Sequence, residues 1–389
     1  MKLVQQIVQE NHDYILDLRR YFRMHPEIGG REYETQKKII SELQAIGLAP
    51  RIAGGTGVAV DIRGDFSGKT VGIRADIDAL PIGDESDKSY QSVNAGLCHA
   101  CGHDGHMAML LGVAKTFVDL KGKFSGNVRL LFQPNEEQFP GGAVGLIADG
   151  ALEGVTAIIG THLWQPLPIG SVGISYGRLM ASPNRFSITV RGQGGHGSMP
   201  HQTIDALATG LQIANALRTI VANHINALEP AVLSLGVFES GNAFNVIPDK
   251  ALIQGTVRVF SPEVRDAIFN KIDSTCKGIC LVTGASYTLD STFGFPPVVN
   301  NLEIAKVVAQ IGEVVLGIGG VKEVAPVMVG EDFSLYLEKV PGAFILLGAG
   351  NSEKATSYPH HHPKFDIDEG ALDYGVAMMT LAALQLTAG

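Results

Sequence analysis

Two cysteines and three histidines crowd into NAGLCHACGHDGHMAMLLG (residues 94–112), where Cys98, His99, Cys101, His103 and His106 lie within nine positions, just ahead of an apolar run. Met107, Leu110, Leu111, Ala114 and Phe117 fall on one face of a helix, so the pattern starts a helix near Asp104 and leaves residues 98–103 as a loop or first turn. Gly102 lets the backbone fold tightly enough for Cys101 and His103 to converge, and a helix amino end favours a thiolate. Several chemistries fit these residue types. Cys98 and Cys101 form a C-x-x-C, but without the thioredoxin-like context a redox pair needs. A structural zinc site wants two more Cys or His close by. A Cys nucleophile with a His base, a polar helix start and a metal site with ligands from elsewhere also remain.

Ligands from elsewhere are available. QPNEEQ places Glu136 and Glu137 after a strand, and adjacent strand residues point to opposite faces, so both reach one site only if Pro134 has turned the chain into a loop. One carboxylate is then free to bind metal while its neighbour acts as a base. THLW sets His162 after an apolar strand, where an unpartnered imidazole is costly. YPHHHPKFDID carries His360, His361 and His362. Asp76 and Asp78 follow TVGIRA in the same way, so three strand ends deliver acids and imidazole to one rim.

The elements that must position these groups are short β-rich runs (VAVDIRG, TVGIRAD, NVRLLFQP, VTAIIGTHL) with a helical segment between the second and third, after helices over about 7–22 and 35–48. Strands alternating with helices predict an α/β domain with a mostly parallel sheet flanked by helices, and such sheets bind ligands beyond the carboxyl ends of their strands. From about residue 182 the order becomes β-α-β-β-α-β, the ferredoxin-like arrangement, before the first type resumes with a helix near Leu302, a strand GAFILLGAG and a closing helix. The expected organisation is a catalytic domain over 1–181 and 294–389, interrupted by an inserted domain over 182–293.

The chain of 389 residues is 45% hydrophobic and 18% charged, with a formal net charge of -9. That describes an ordinary folded protein whose partners are small molecules; nothing supplies the basic surface nucleic acid requires. The opening MKLVQQIVQENHDYIL mixes polar residues through its apolar ones, unlike a secretory signal, and no membrane span is expected. Four cysteines are too few for a disulfide scaffold, which fits a reducing cytoplasm. Cys276 and Cys280 read as buried helix thiols without chemistry.

Taken in order, RADIDALP, HACGHDGHMA, QPNEE, THLW, GGHGSMPH, NVIPD, GEDF and HHPKFD resemble the M20 metallopeptidases, in particular the branch of N-acyl-amino-acid amidohydrolases that includes hippurate hydrolases and auxin-conjugate hydrolases. The resemblance covers nearly the whole chain. It implies a catalytic α/β domain, an inserted lid domain that pairs two subunits into a homodimer, and two divalent metal ions. Carried onto this sequence, it makes Cys101 the bridging ligand, with His103, Glu137, His162 and His361 as the other ligands and Glu136 as general base. His196 of GGHGSMPH resembles the residue that reaches across the dimer to the oxyanion. Other members carry His-x-Asp where this chain has Asp76-Ile77-Asp78, and a bridging Asp where it has Cys101; the donors suit Zn, Mn or Ni.

One thiolate, one carboxylate and three neutral imidazoles leave two divalent ions with a net positive charge that attracts hydroxide and a carboxylate. Asn245 of NVIPD and Arg258 of GTVRVF, near strand ends of the inserted domain, are expected to hold the substrate carboxylate. Glu331 and Asp332 of GEDF are expected to orient ligands. The expected activity is hydrolysis of N-acyl amino acids; the alternatives are a dipeptidase of the same family and a binding protein that has kept the fold without catalysis.

Overall fold

Runs of Val, Ile and Leu between residues 57 and 168 fold into the middle of one eight-stranded sheet. The computed structural model describes residues 1–354 and 356–388, and contacts divide the chain into two units. The first takes Met1–Leu179, Val298–Ala325 and Asp332–Gly389; the second takes Met180–Pro297 and Pro326–Glu331. The sheet of the first unit runs Arg51–Ala53, Gly57–Arg63, Ser125–Gln133, Phe66–Asp76, Val155–Pro168, Gly342–Gly350, Val172–Ile174, Val321–Glu323. Its four central strands, from Ser125–Gln133 to Gly342–Gly350, are parallel. The Gly57–Arg63 strand joins one side antiparallel. This is a mixed α/β fold with a mostly parallel centre flanked by helices.

The helix His103–Asp119 is buried along almost its whole length, which is why its sequence shows little polar face. It packs against His12–Met24 and Ala371–Ala388. Gly112 permits that approach, since a Cβ there would lie 2.9 Å from both Ile15 Cγ1 and Val376 Cγ2. Among the described residues, Ala371–Ala388 alone is long and apolar enough by length and composition to span a bilayer, and 67% of its 18 residues are buried. A helix apolar on all sides is what a core position against both sheet and helix demands.

Two local expectations also change. The first helix is two, Lys2–Glu10 and His12–Met24, meeting at Asn11, whose side chain caps neither helix and donates instead to Asp119 Oδ2 at 3.2 Å. His162 lies inside the Val155–Pro168 strand instead of after its end, because Gly342–Gly350 pairs with that strand as far as Pro168.

In the second unit the strands Ser182–Arg191, Ala231–Ser240, Lys250–Val259 and Ser286–Phe293 form an antiparallel sheet. Their spatial order is second, third, first, fourth. The helices Ala206–Leu217 and Pro262–Thr283 pack on it over a core that includes Ile188, Ile213, Ile253, Ile272, Cys276 and Cys280. Pro262–Thr283 is delimited by its own sequence: Ser261 Oγ accepts from Val264 N–H at 3.1 Å, Pro262 opens the helix, and Gly284 closes it at φ 76°.

Candidate metal centre

Register brings the polar strand ends of the first unit level. Asp76 pairs with Gln133 and Arg74 with Gly160. Beneath them, buried Arg74 donates to Gln133 Oε1 (2.9 Å), Asp76 Oδ2 (2.7 Å) and Asp332 Oδ1 (2.9 Å). Gln133 Nε2 also donates to Asp332. These contacts fix the floor from which the chain turns at Pro134 into the Asn135–Glu137 segment, with Asn135 at φ 53°.

Gly102, at φ 93°, reverses the chain into the helix that begins at His103. His103 Nδ1 donates to the Asp78 carbonyl at 2.8 Å, leaving Nε2 without a hydrogen-bond partner among the described residues. His162 Nδ1 donates to the Leu163 carbonyl at 2.9 Å, and its Nε2 lies 3.5 Å from Cys101 Sγ. His361 stands at φ 66°, its N–H donating to the Ala100 carbonyl at 2.8 Å, and its Nε2 is 3.2 Å from Glu137 Oε1. The Glu137 N–H donates to Asp78 Oδ2 at 3.0 Å.

The donor groups whose ligand atoms lie within 4.8 Å of one another include Cys101, His103 and His162; Cys101, Glu137 and His361; and His103, Glu136 and Glu137. The first two share the Cys101 thiol. Glu136 is buried beside them.

The electrostatics call for cations. Burial pushes the Cys101 thiol well above its usual range, and the nearby Glu137 and Glu136 carboxylates push it further, so nothing in the protein alone sustains a thiolate. Burial on its own would favour neutral His103, but Asp76 and Asp78 outweigh it and raise it to about 10. Burial, with neighbouring imidazoles, holds His162 well below its usual value, neutral and ready to ligate. Burial opposes ionisation of Glu137, yet the His361 and His103 imidazoles hold it below the usual carboxylate range. Two imidazoles fixed at Nδ1 by backbone carbonyls, with Nε2 turned inward, have the orientation of metal ligands. The residues fit two divalent ions.

The model of peptidase family M20/M25/M40 matches residues 72–385. The chain belongs to that family. It is 44% identical over 298 residues to an N-acyl-L-amino acid amidohydrolase of Geobacillus stearothermophilus, covering 76% of this chain and 80% of the relative. It is 39% identical over 394 residues to thermostable carboxypeptidase 2 of Saccharolobus solfataricus, covering 100% of both. Among solved structures, a dinuclear metal-binding peptidase of family M20 from Bacillus subtilis superposes with a TM-score of 0.85 at 33% identity, covering 98% of this chain and 99% of that one.

In the second unit of this M20 chain, a short ribbon pairs Val246 with His196, and the Gly197 N–H donates to the Asn245 carbonyl at 2.9 Å, so His196 and Asn245 are neighbours. The Ser198 N–H donates to His196 Nδ1 at 3.1 Å. That bond assigns the proton of the neutral ring to Nε2. His196 and Asn245 are exposed. Arg258 is half-buried in the Lys250–Val259 strand, opposite Val232 and Pro183, and burial lowers its pKa.

The structure adds supporting residues that sequence reasoning did not assign. Asp78 holds both His103 and the Glu137 backbone. His106, one turn after His103, donates through Nδ1 to Asp76 at 2.6 Å and accepts at Nε2 from the Leu163 N–H at 2.8 Å, fixing the strand beside His162. Helical spacing from His103 was its available signal. Fully buried Glu32 accepts from the Asn135 N–H at 2.9 Å and the Thr56 hydroxyl at 2.5 Å; nothing in the sequence distinguishes it from other acids. Asp332, expected from sequence to orient ligands, accepts from Arg74, from Gln133 and from the Ala143 N–H.

Proposed function

We propose that the protein hydrolyses the amide bond of N-acyl amino acids, releasing a carboxylic acid and a free amino acid. The observation that carries this reading is the pair of donor groups sharing Cys101: His103 and His162 on one side, Glu137 and His361 on the other. Two divalent ions held there, Zn, Mn or Ni, would supply Lewis-acid polarisation of the carbonyl and acidify water.

Glu136, buried beside the donors and not needed as a ligand, takes the proton of the attacking water and returns it to the departing amine, acting as base and then acid. His196, with its proton on Nε2, donates to the oxyanion of the tetrahedral intermediate; one such preorganised donor contributes about 3 kcal/mol. Arg258 and Asn245 take the substrate's free carboxylate. The guanidinium suits a carboxylate through its planar fork, and partial burial strengthens the pair.

We read the inserted segment expected over 182–293 as a lid and dimerisation domain, and His196 as a residue supplied to the partner subunit. The Ala231–Ser240 strand supports this: it is an open edge of its sheet and carries exposed Val232 and Phe238. A cytoplasmic setting fits four free thiols.

The test is a hydrolysis screen of acetyl, benzoyl and succinyl amino acids with Mn, Zn or Ni supplied separately to chelator-stripped protein. Metal-dependent release of the amino acid is expected. Cleavage restricted to dipeptides would favour the peptidase alternative, and absence of any metal-dependent hydrolysis would contradict both.

A further inference from the structure

Of the proposed ligands, His103 opens a helix and His162 lies within a strand, so main-chain ladders fix both. Cys101 and His361 have no such support. Cys101 lies in the turn before the helix, and His361 sits in an irregular segment, at positive φ, with its side chain half-exposed. The bond from the His361 N–H to the Ala100 carbonyl ties the two segments to each other, but something else must tie both to the body of the domain.

Arg23, on the helix His12–Met24, is fully buried. Its Nη1 donates to the His99 carbonyl at 2.9 Å, two residues before Cys101. Its Nη2 donates to the Phe365 carbonyl at 2.8 Å, four residues after His361. The opposite edge of the same guanidinium binds Asp84, Nε to Oδ2 at 2.9 Å and Nη2 to Oδ1 at 3.2 Å. Asp84 in turn accepts from the Ser86 and Ser92 N–H groups, and the neighbouring Glu85 N–H donates to the Pro363 carbonyl at 2.9 Å.

We propose that Arg23 is a positioning residue for the ion held by Cys101, Glu137 and His361: one planar group fixes the two irregular segments that carry Cys101 and His361. The proposal rests on the metal-centre reading above. It requires the planar fork, because a lysine supplies a single point charge for Asp84 and cannot also reach two carbonyls on divergent lines. Its signature is selective. The ion on Cys101, His103 and His162 keeps two ligands anchored by helix and strand, so it should feel the loss of Arg23 far less.

The experiment titrates Zn2+ into metal-free full-length protein by calorimetry, with melting of the metal-free protein recorded alongside. The variants are Arg23→Lys, the double variant Arg23→Met/Asp84→Asn, which removes both buried charges together, and His361→Ala. The expected result is two equivalents for the parent protein. Both Arg23 variants should show a weaker second equivalent, by roughly 10- to 100-fold, the range usual when support of a ligand is lost, with the first nearly unchanged. His361→Ala should lose the second equivalent. If His361→Ala loses it while the Arg23 variants keep both constants, the positioning role is overturned and the metal centre stands. Equal weakening of both ions in the Arg23 variants, with a lowered melting point of the metal-free protein, would reduce Arg23 to a general structural residue and also overturn the proposal. Two undiminished equivalents in His361→Ala would overturn the ligand assignment itself.

Discussion

Loading of the metal centre should expel two protons. Without metal at pH 7, Cys101 holds its proton because burial and the two neighbouring carboxylates keep its pKa well above the usual thiol value. His103, raised to about 10, holds a second. Glu137, kept below the ordinary carboxylate range, and His162, kept well below the ordinary imidazole range, have no proton to lose there. Ligation requires the thiolate and the neutral imidazole, so Cys101 and His103 each release one. The sign follows directly: because the free protein binds more protons than the loaded one, affinity rises with pH, by about two logarithmic units per pH unit while both pKa values lie above the working pH. Two protons correspond to about 2.7 kcal/mol per pH unit. Calorimetry between pH 6 and 8, repeated in buffers of different ionisation enthalpy, counts the protons directly. An affinity independent of pH, with no proton release, would refute the reasoning, since the site would then hold a thiolate and a neutral His103 before any cation arrives.

Glu136→Gln should lower kcat by roughly 10^2- to 10^4-fold with metal content unchanged; parallel turnover and metal analyses check this, and retained activity would remove Glu136 from proton transfer. Mixing an inactive His196 variant with an inactive Glu136 variant should restore part of the activity through hybrid dimers, read after subunit exchange; no rescue would argue that His196 serves its own subunit. Arg258→Ala should raise KM more than it lowers kcat in steady-state kinetics, and the opposite pattern would assign Arg258 a structural role.

The central strands and the helices around them were legible because their residues are buried on both faces, and burial writes itself as uninterrupted Val, Ile and Leu. The short strands were not: Arg51–Ala53, Val172–Ile174 and Val321–Glu323 have three residues each, too few to establish a period. The break at Asn11 was hidden because apolar residues keep helical spacing across it. At the candidate site, residue type pointed to Cys101, His103 and the glutamate pair, since thiols, imidazoles and adjacent acids before an apolar helix are unusual together. The groups that hold them were illegible for a physical reason. Asp78 acts on His103 through its backbone carbonyl, and Arg23 acts on Cys101 and His361 through the carbonyls of His99 and Phe365. A carbonyl is common to every residue, so contacts of this kind leave no mark in composition or spacing.

Anomalous diffraction from crystals of the metal-loaded protein, recorded at the absorption edge of the added ion, tests the central claim most directly. Two peaks are predicted on either side of Cys101 Sγ, one joined by His103 and His162 and the other by Glu137 and His361, with the Glu136 carboxylate adjacent and unligated. A single peak, or ions bound away from Cys101 while these side chains turn to separate regions, would contradict the account.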